Sequence, residues 1–150
     1  MTRTTQRGLP AFSVLRLNGG TTATLQGLTI SNGRDSSNGG INVDSATLTL
    51  IDSSVSGNTR ECGWNRCQSW QLTLTNSTVS GNSAGGSGGG IYSNAGTHGV
   101  TDSTIENNSS TAGNGGGIGI QSSTVTVTNS TVSDNSPAVT AAVSTMTLAR

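Results

Sequence analysis

The stretch TVSGNSAGGSGGGIYSN (Thr78–Asn94) decides the fold. Taken alone it has the composition of a flexible linker. Near-copies stand on both sides of it: TISNGRDSSNGGINV (Thr29–Val43) and TIENNSSTAGNGGGIGI (Thr104–Ile120). A linker has no reason to recur with valine, isoleucine and leucine on its flanks. A coil whose turns stack has every reason, because each copy is then one bend of the coil.

Aligning the copies on an apolar anchor gives the column Leu25, Leu50, Leu74, Val100, Val127 and Leu148, with spacings of 25, 24, 26, 27 and 21 residues. Five residues on come Ile30, Val55, Val79, Ile105 and Val132. Three residues past the anchor stand Leu28, Ser53, Ser77, Ser103 and Ser130. Eight residues past it stand Gly33, Asn58, Asn82, Asn108 and Asn135. Nine residues before the later anchors stand Ile41, Asn65, Ile91, Ile118 and Val139. Self-similarity at this period is the signature of a solenoid. Inside each unit the runs TLTL, LTLT and TVTVT alternate with period two, apolar in and threonine out, which is a strand pattern. The Gly, Ser and Thr content opposes helix.

These observations predict an all-β chain: a right-handed parallel β-helix (β-solenoid) of about five to six turns of 21–27 residues. It forms a single domain over 1–150, with regular repeats over about 23–148 and residues 1–22 as a lead-in or cap. The chain ends on a strand-like run, so a fragment of a longer solenoid, or a subunit that stacks through its ends, is expected. Stacking places like residues about 4.8 Å apart, so the apolar columns become ladders that no single turn could bury. Two other solenoids fit less well. LTNSTVSGN resembles a leucine-rich repeat, but its second half is glycine-rich and leads into another strand. The calcium-binding nonapeptide roll needs a nine-residue period that this chain lacks.

Composition narrows the function. Seven acidic and seven basic residues balance, so no strong field favours nucleic acid or an anionic membrane. No run approaches the length of a membrane-spanning helix. The first residues carry no apolar signal core, so either an export signal lies outside this sequence, or export uses another route, or the protein stays inside the cell.

Two polar columns read as bends: Asp52, Asn76, Asp102 and Asn129, and Asn58, Asn82, Asn108 and Asn135. Asn and Asp tolerate left-handed geometry and bond to nearby backbone. Stacked asparagines can also bond to one another from turn to turn. The glycine pairs before the isoleucine column mark positive φ or close backbone approach.

The motifs GGI (39–41), GGGI (88–91 and 115–118) and Val55–Asn58, Val79–Asn82, Ile105–Asn108 and Val132–Asn135 resemble the polymorphic outer-membrane protein repeat. That family pairs a GG[A/G]I motif with FxxN; here an aliphatic residue replaces the Phe. The resemblance covers about Ala23 to Asn135. It implies a pectate-lyase-like right-handed parallel β-helix, secreted or surface-anchored in bacteria and associated with adhesion.

The expected function is a non-enzymatic extracellular or cell-surface scaffold for adhesion or assembly, with no cofactor and no metal. Its partner would be a protein or glycan, or another copy through the solenoid ends. The segments between the Asn column and the Gly-Gly-Ile column should share one edge, where Arg34, Asp35, Arg60, Glu61, Trp64 and Arg66 form the candidate binding surface. Cys62 and Cys67 could close a small disulfide loop or remain thiols; both readings stay open.

Two other functional readings come from the residues. The outward threonines are Thr22, Thr47, Thr97, Thr124 and Thr145; Thr24, Thr49, Thr73, Thr126 and Thr147; and Thr75, Thr101 and Thr128. They would make a grid resembling the ice-binding face of β-solenoid antifreeze proteins. Thr is also favoured on exposed strands for its own sake. Asp52 and Asp102, two turns apart, are the nearest approach to the acid pair of a polysaccharide lyase or hydrolase, a reading that bend geometry would make unnecessary. His98 falls in an inward column with Leu48, Leu72 and Val125, where a structural histidine is expected.

Overall fold

The computed structural model describes residues 13–35, 41–43, 45–60, 70–113, 115–136, 139–142 and 145–149. Within them the chain is a stack of short parallel strands, as the period-two runs predict. A long sheet stacks Thr22–Gln26, Thr47–Ile51, Trp70–Thr75, Ile91–Thr101 and Ile118–Thr128. Val139–Ala142 and Thr145–Ala149 both pair with the last of these. A second sheet stacks Thr29–Ser31, Ser54–Ser56, Thr78–Ser80, Thr104–Glu106 and Thr131–Ser133. A third stacks Arg34–Asp35, Thr59–Arg60, Ser83–Ala84 and Ser109–Ser110. Leu15–Leu17 pairs in parallel with Ile41–Val43, so one strand of the coil lies upstream of Ala23.

The register is the one the columns require. Leu25 pairs with Leu50, Leu50 with Leu74, Leu74 with Val100, Val100 with Val127 and Val127 with Leu148. Ile30, Val55, Val79, Ile105 and Val132 form a second ladder across the core. Leu48, Leu50, Leu74, Val100, Ile105, Ile118, Val125 and Val127 are fully enclosed. The core is a narrow column of aliphatic side chains. It needs no large rings, because each residue packs on its equivalents above and below.

Two corners join the first three sheets, and both use the same device. At the first, Asp52, Asn76, Asp102 and Asn129 take left-handed φ of 48–51°. The next residue then points inward: Ser53, Ser77 and Ser103 are buried. Each serine Oγ donates to a carbonyl two residues back in its own turn: Ser53 to Ile51 O at 2.7 Å, Ser77 to Thr75 O at 2.8 Å, Ser103 to Thr101 O at 2.7 Å. Each also accepts a backbone N–H from the turn before. Leu28 N–H donates to Ser53 Oγ, Ser53 N–H to Ser77 Oγ, Ser77 N–H to Ser103 Oγ and Ser103 N–H to Ser130 Oγ.

At the second corner the left-handed residues are Asn32, Gly57, Gly81, Asn107 and Asp134. The Asn58 column is therefore not the bend itself, correcting the sequence expectation. Its side chains follow the bend and turn into the core, where Asn58, Asn82 and Asn108 are buried. Asn82 shows the pattern. Its Oδ1 accepts from Asn58 N–H and from Asn58 Nδ2, each at 3.0 Å. Its Nδ2 donates to Val55 O and to Asn108 Oδ1, each at 2.9 Å. Asn58, Asn108 and Asn135 repeat these contacts up and down the stack.

The glycine-rich bend closes the turn. Gly88 and Gly115 hold φ of 71° and 69°, and a Cβ on Gly90 would lie 2.6 Å from Gly117 O. Both expected reasons for glycine, positive φ and close approach, therefore operate within three residues. Gly90 N–H and Ile91 N–H donate to Gly116 O and Gly117 O at 2.8 Å, so the bend stacks on its equivalent as the strands do.

The ladders set the cost of substitution. Asn82→Ala leaves Asn58 N–H and one Asn58 amide hydrogen without partners in the interior, and takes from Val55 O the bond donated by Asn82 Nδ2. At about 1–3 kcal/mol for each buried group left unsatisfied, the loss should reach about 3 kcal/mol or more. Ser77→Ala removes one donor and one acceptor and should cost about 1–2 kcal/mol. Urea unfolding of the two variants tests this; equal midpoints would contradict a leading role for the asparagine ladder.

Candidate functional site

The inward alternation of the long sheet sends every second residue outward, and the register aligns those residues. One outward column runs Thr22, Thr47, Gln71, Thr97, Thr124 and Thr145. The next runs Thr24, Thr49, Thr73, Gly99, Thr126 and Thr147. The third runs Gln26, Ile51, Thr75, Thr101, Thr128 and Ala149. All thirteen threonines singled out in the sequence thus lie on one sheet in continuous register. Thr22, Thr24, Thr73, Thr97, Thr124 and Thr126 are exposed; Thr47, Thr49, Thr75, Thr101 and Thr128 are partly so. Neighbouring columns are about 6.7 Å apart along the strand, and turns about 4.8 Å apart.

Of the expected binding edge, Arg34, Asp35 and Arg60 fall on the third sheet. Arg34 pairs with Thr59 and Asp35 with Arg60, and the next two turns add Ser83–Ala84 and Ser109–Ser110. The segments that read as loops therefore begin as two-residue strands. Their continuations are not all exposed: Ala84, Gly86, Gly88 and Gly115 are buried. Arg34 is exposed. Glu61, Trp64, Arg66, Cys62 and Cys67 lie outside the described residues, and so does the question of a Cys62–Cys67 disulfide.

The acidic column sits at the first corner. Asp52 Oδ2 accepts from Gln26 Nε2 at 2.8 Å, and its Oδ1 accepts from Asn76 Nδ2 at 2.6 Å. The Gln26 bond, then the Asn76 bond, hold its pKa below the usual 3.8. Asp52 is thus kept as a carboxylate, which suits a corner tie and not a general acid, whose pKa is raised. Asp102 Oδ1 accepts in the same way from Asn129 Nδ2. The two carboxylates are each tied to the amide of the following turn. Among the described residues no group of three or more His, Cys, Asp or Glu is placed to hold a metal ion. No helix among them is long and apolar enough to cross a membrane.

His98 lies where its column predicts, between Leu72 and Val125, with 1% of its surface exposed. The serine ladder is the feature that sequence reading left without a role. Its signal was present: a polar residue at fixed spacing, immediately after Asp or Asn, between two apolar columns.

Stacked parallel strands around a narrow aliphatic core define a parallel β-solenoid. A family model described as a right-handed β-helix region matches residues 13–148, and the chain belongs to that family. No curated protein and no solved structure matches the chain significantly.

Burial pushes the His98 pKa down from 6.5 to about 4. The unfolded chain therefore takes up a proton near pH 6.5 that the native chain refuses until about pH 4. The stability tied to neutral His98 is present in full above pH 6.5 and is lost as pH falls to about 4, with a slope of at most about 1.4 kcal/mol per pH unit. His98→Leu should remove that slope. Thermal melts of both proteins across this window check it; parallel melting curves would refute the assignment.

Proposed function

We propose that the chain is a non-enzymatic scaffold of an extracellular or cell-surface protein of the polymorphic outer-membrane repeat type, built for adhesion or assembly. The observation that carries this reading is the third sheet. It lines up Arg34–Asp35 and Thr59–Arg60, the start of the variable segments, along one edge of a coil braced by two polar ladders. A rigid rod with its sequence variation gathered on one edge suits recognition of a protein or glycan, because loops on a stiff frame carry binding. Trp64 and Arg66 follow on the same segment and are residue types that dominate binding hot spots. Both corner columns are accounted for by hydrogen bonding, so the carboxylates need no catalytic role to explain them.

The test pairs attachment with cleavage. The chain displayed on inert beads should attach to cell-surface preparations. Arg34→Ala, Trp64→Ala and Arg66→Ala combined should abolish attachment while the melting temperature stays within a few degrees. New reducing ends released from a panel of polysaccharides, or undiminished attachment by the variant, would overturn the proposal.

A further inference from the structure

The long sheet carries something that an adhesive edge does not explain. Its first two outward columns hold ten positions in five stacked turns, and eight are threonine; Thr145 and Thr147 continue the two columns in backbone register. Four turns show the unit Thr-x-Thr unbroken: Thr22–Thr24, Thr47–Thr49, Thr124–Thr126 and Thr145–Thr147. The two exceptions, Gln71 and Gly99, fall in adjacent turns. No position of these columns is charged or aromatic.

We infer that this sheet is a binding face for an ordered water lattice, the surface of ice. Three features point to that occupant. The array repeats in two directions, about 4.8 Å from turn to turn and about 6.7 Å along the strand, so it can match a crystal plane and not merely one molecule. Each threonine offers a hydroxyl that can donate or accept, beside a methyl group that resists wetting. The face lacks charges, which would hold disordered hydration. The threonine columns also lack the rings on which sugars stack, which sets them apart from a polysaccharide surface; Tyr92, on the same sheet, stands outside these columns and donates its hydroxyl to Gln121 Oε1. The serine and asparagine ladders hold the turns in register from inside, so the outer hydroxyls are left for the solvent side.

Gly99 makes the inference testable by gain and not only by loss. A Cβ there would meet nothing within 4 Å, and its φ is not in the left-handed region. Threonine at 99 therefore fits, and it restores a strand-favouring residue in place of glycine. The repaired chain, Gln71→Thr with Gly99→Thr, should show larger thermal hysteresis than the parent and at least equal thermal stability. Thr73→Lys with Thr126→Lys should lose hysteresis and ice shaping while circular dichroism and melting stay close to the parent. Arg34→Ala, on the other edge, should leave hysteresis unchanged, which separates this face from the adhesive one. Absence of hysteresis and ice shaping in both the parent and the repaired chain would overturn the inference. So would binding to crystalline cellulose or chitin through these threonines without any effect on ice.

Discussion

The buried asparagine ladder is the constraint on which the rest of the structure depends. A coil of short strands must turn a corner every few residues, and a corner breaks the strand pattern of backbone pairing. An inward-facing backbone N–H left there would cost about as much as a lost buried hydrogen bond. The side chain of the next turn supplies the missing acceptor. Asn108 Oδ1 takes both Asn82 N–H and Asn82 Nδ2, while Asn108 Nδ2 reaches Val79 O. One side chain thus serves three groups in the turn before it. The serine corner does the same with a shorter reach, giving its proton to its own turn and taking one from the turn before.

The ladders also fix which part of a turn may vary in length. From anchor to asparagine the count is constant: Leu50 to Asn58, Leu74 to Asn82, Val100 to Asn108, Val127 to Asn135. From isoleucine column to anchor it is constant too, as in Ile91 to Val100 and Ile118 to Val127. The length changes all fall between, where Asn82 to Ile91 and Asn108 to Ile118 differ by one residue. A length change elsewhere would pull a corner side chain out of reach of its partner. Variation therefore collects between the Asn corner and the isoleucine column, and the long sheet that follows keeps its outward columns in line.

Much of this was legible in the sequence, for a physical reason. In a solenoid the partner of each residue is its equivalent one turn away, so column alignment is register. Leu25 to Leu148 could be paired without coordinates. The direction of the asparagines was not legible, because a recurring Asn after a strand reads as a turn residue. The true left-handed positions were its neighbours, and Gly57, Gly81, Asn107 and Asp134 share no single residue type. The strands Arg34–Asp35 and Thr59–Arg60 were hidden for another reason: two residues are too few to show alternation, and their pairing is imposed by the Asn corner just before them.

His98 shows how narrow the tolerance of such a core is. Its column is otherwise aliphatic where described at Ala23, Leu48, Leu72 and Val125. A neutral imidazole can occupy that space, since it is flat and close in volume to leucine. A charged one is disfavoured there, because it would exchange water for a medium with few dipoles free to reorient. The polarity that holds the coil together is spent at its corners. What remains between them is apolar enough that a single ionisable group in the column couples the stability of the stack to pH.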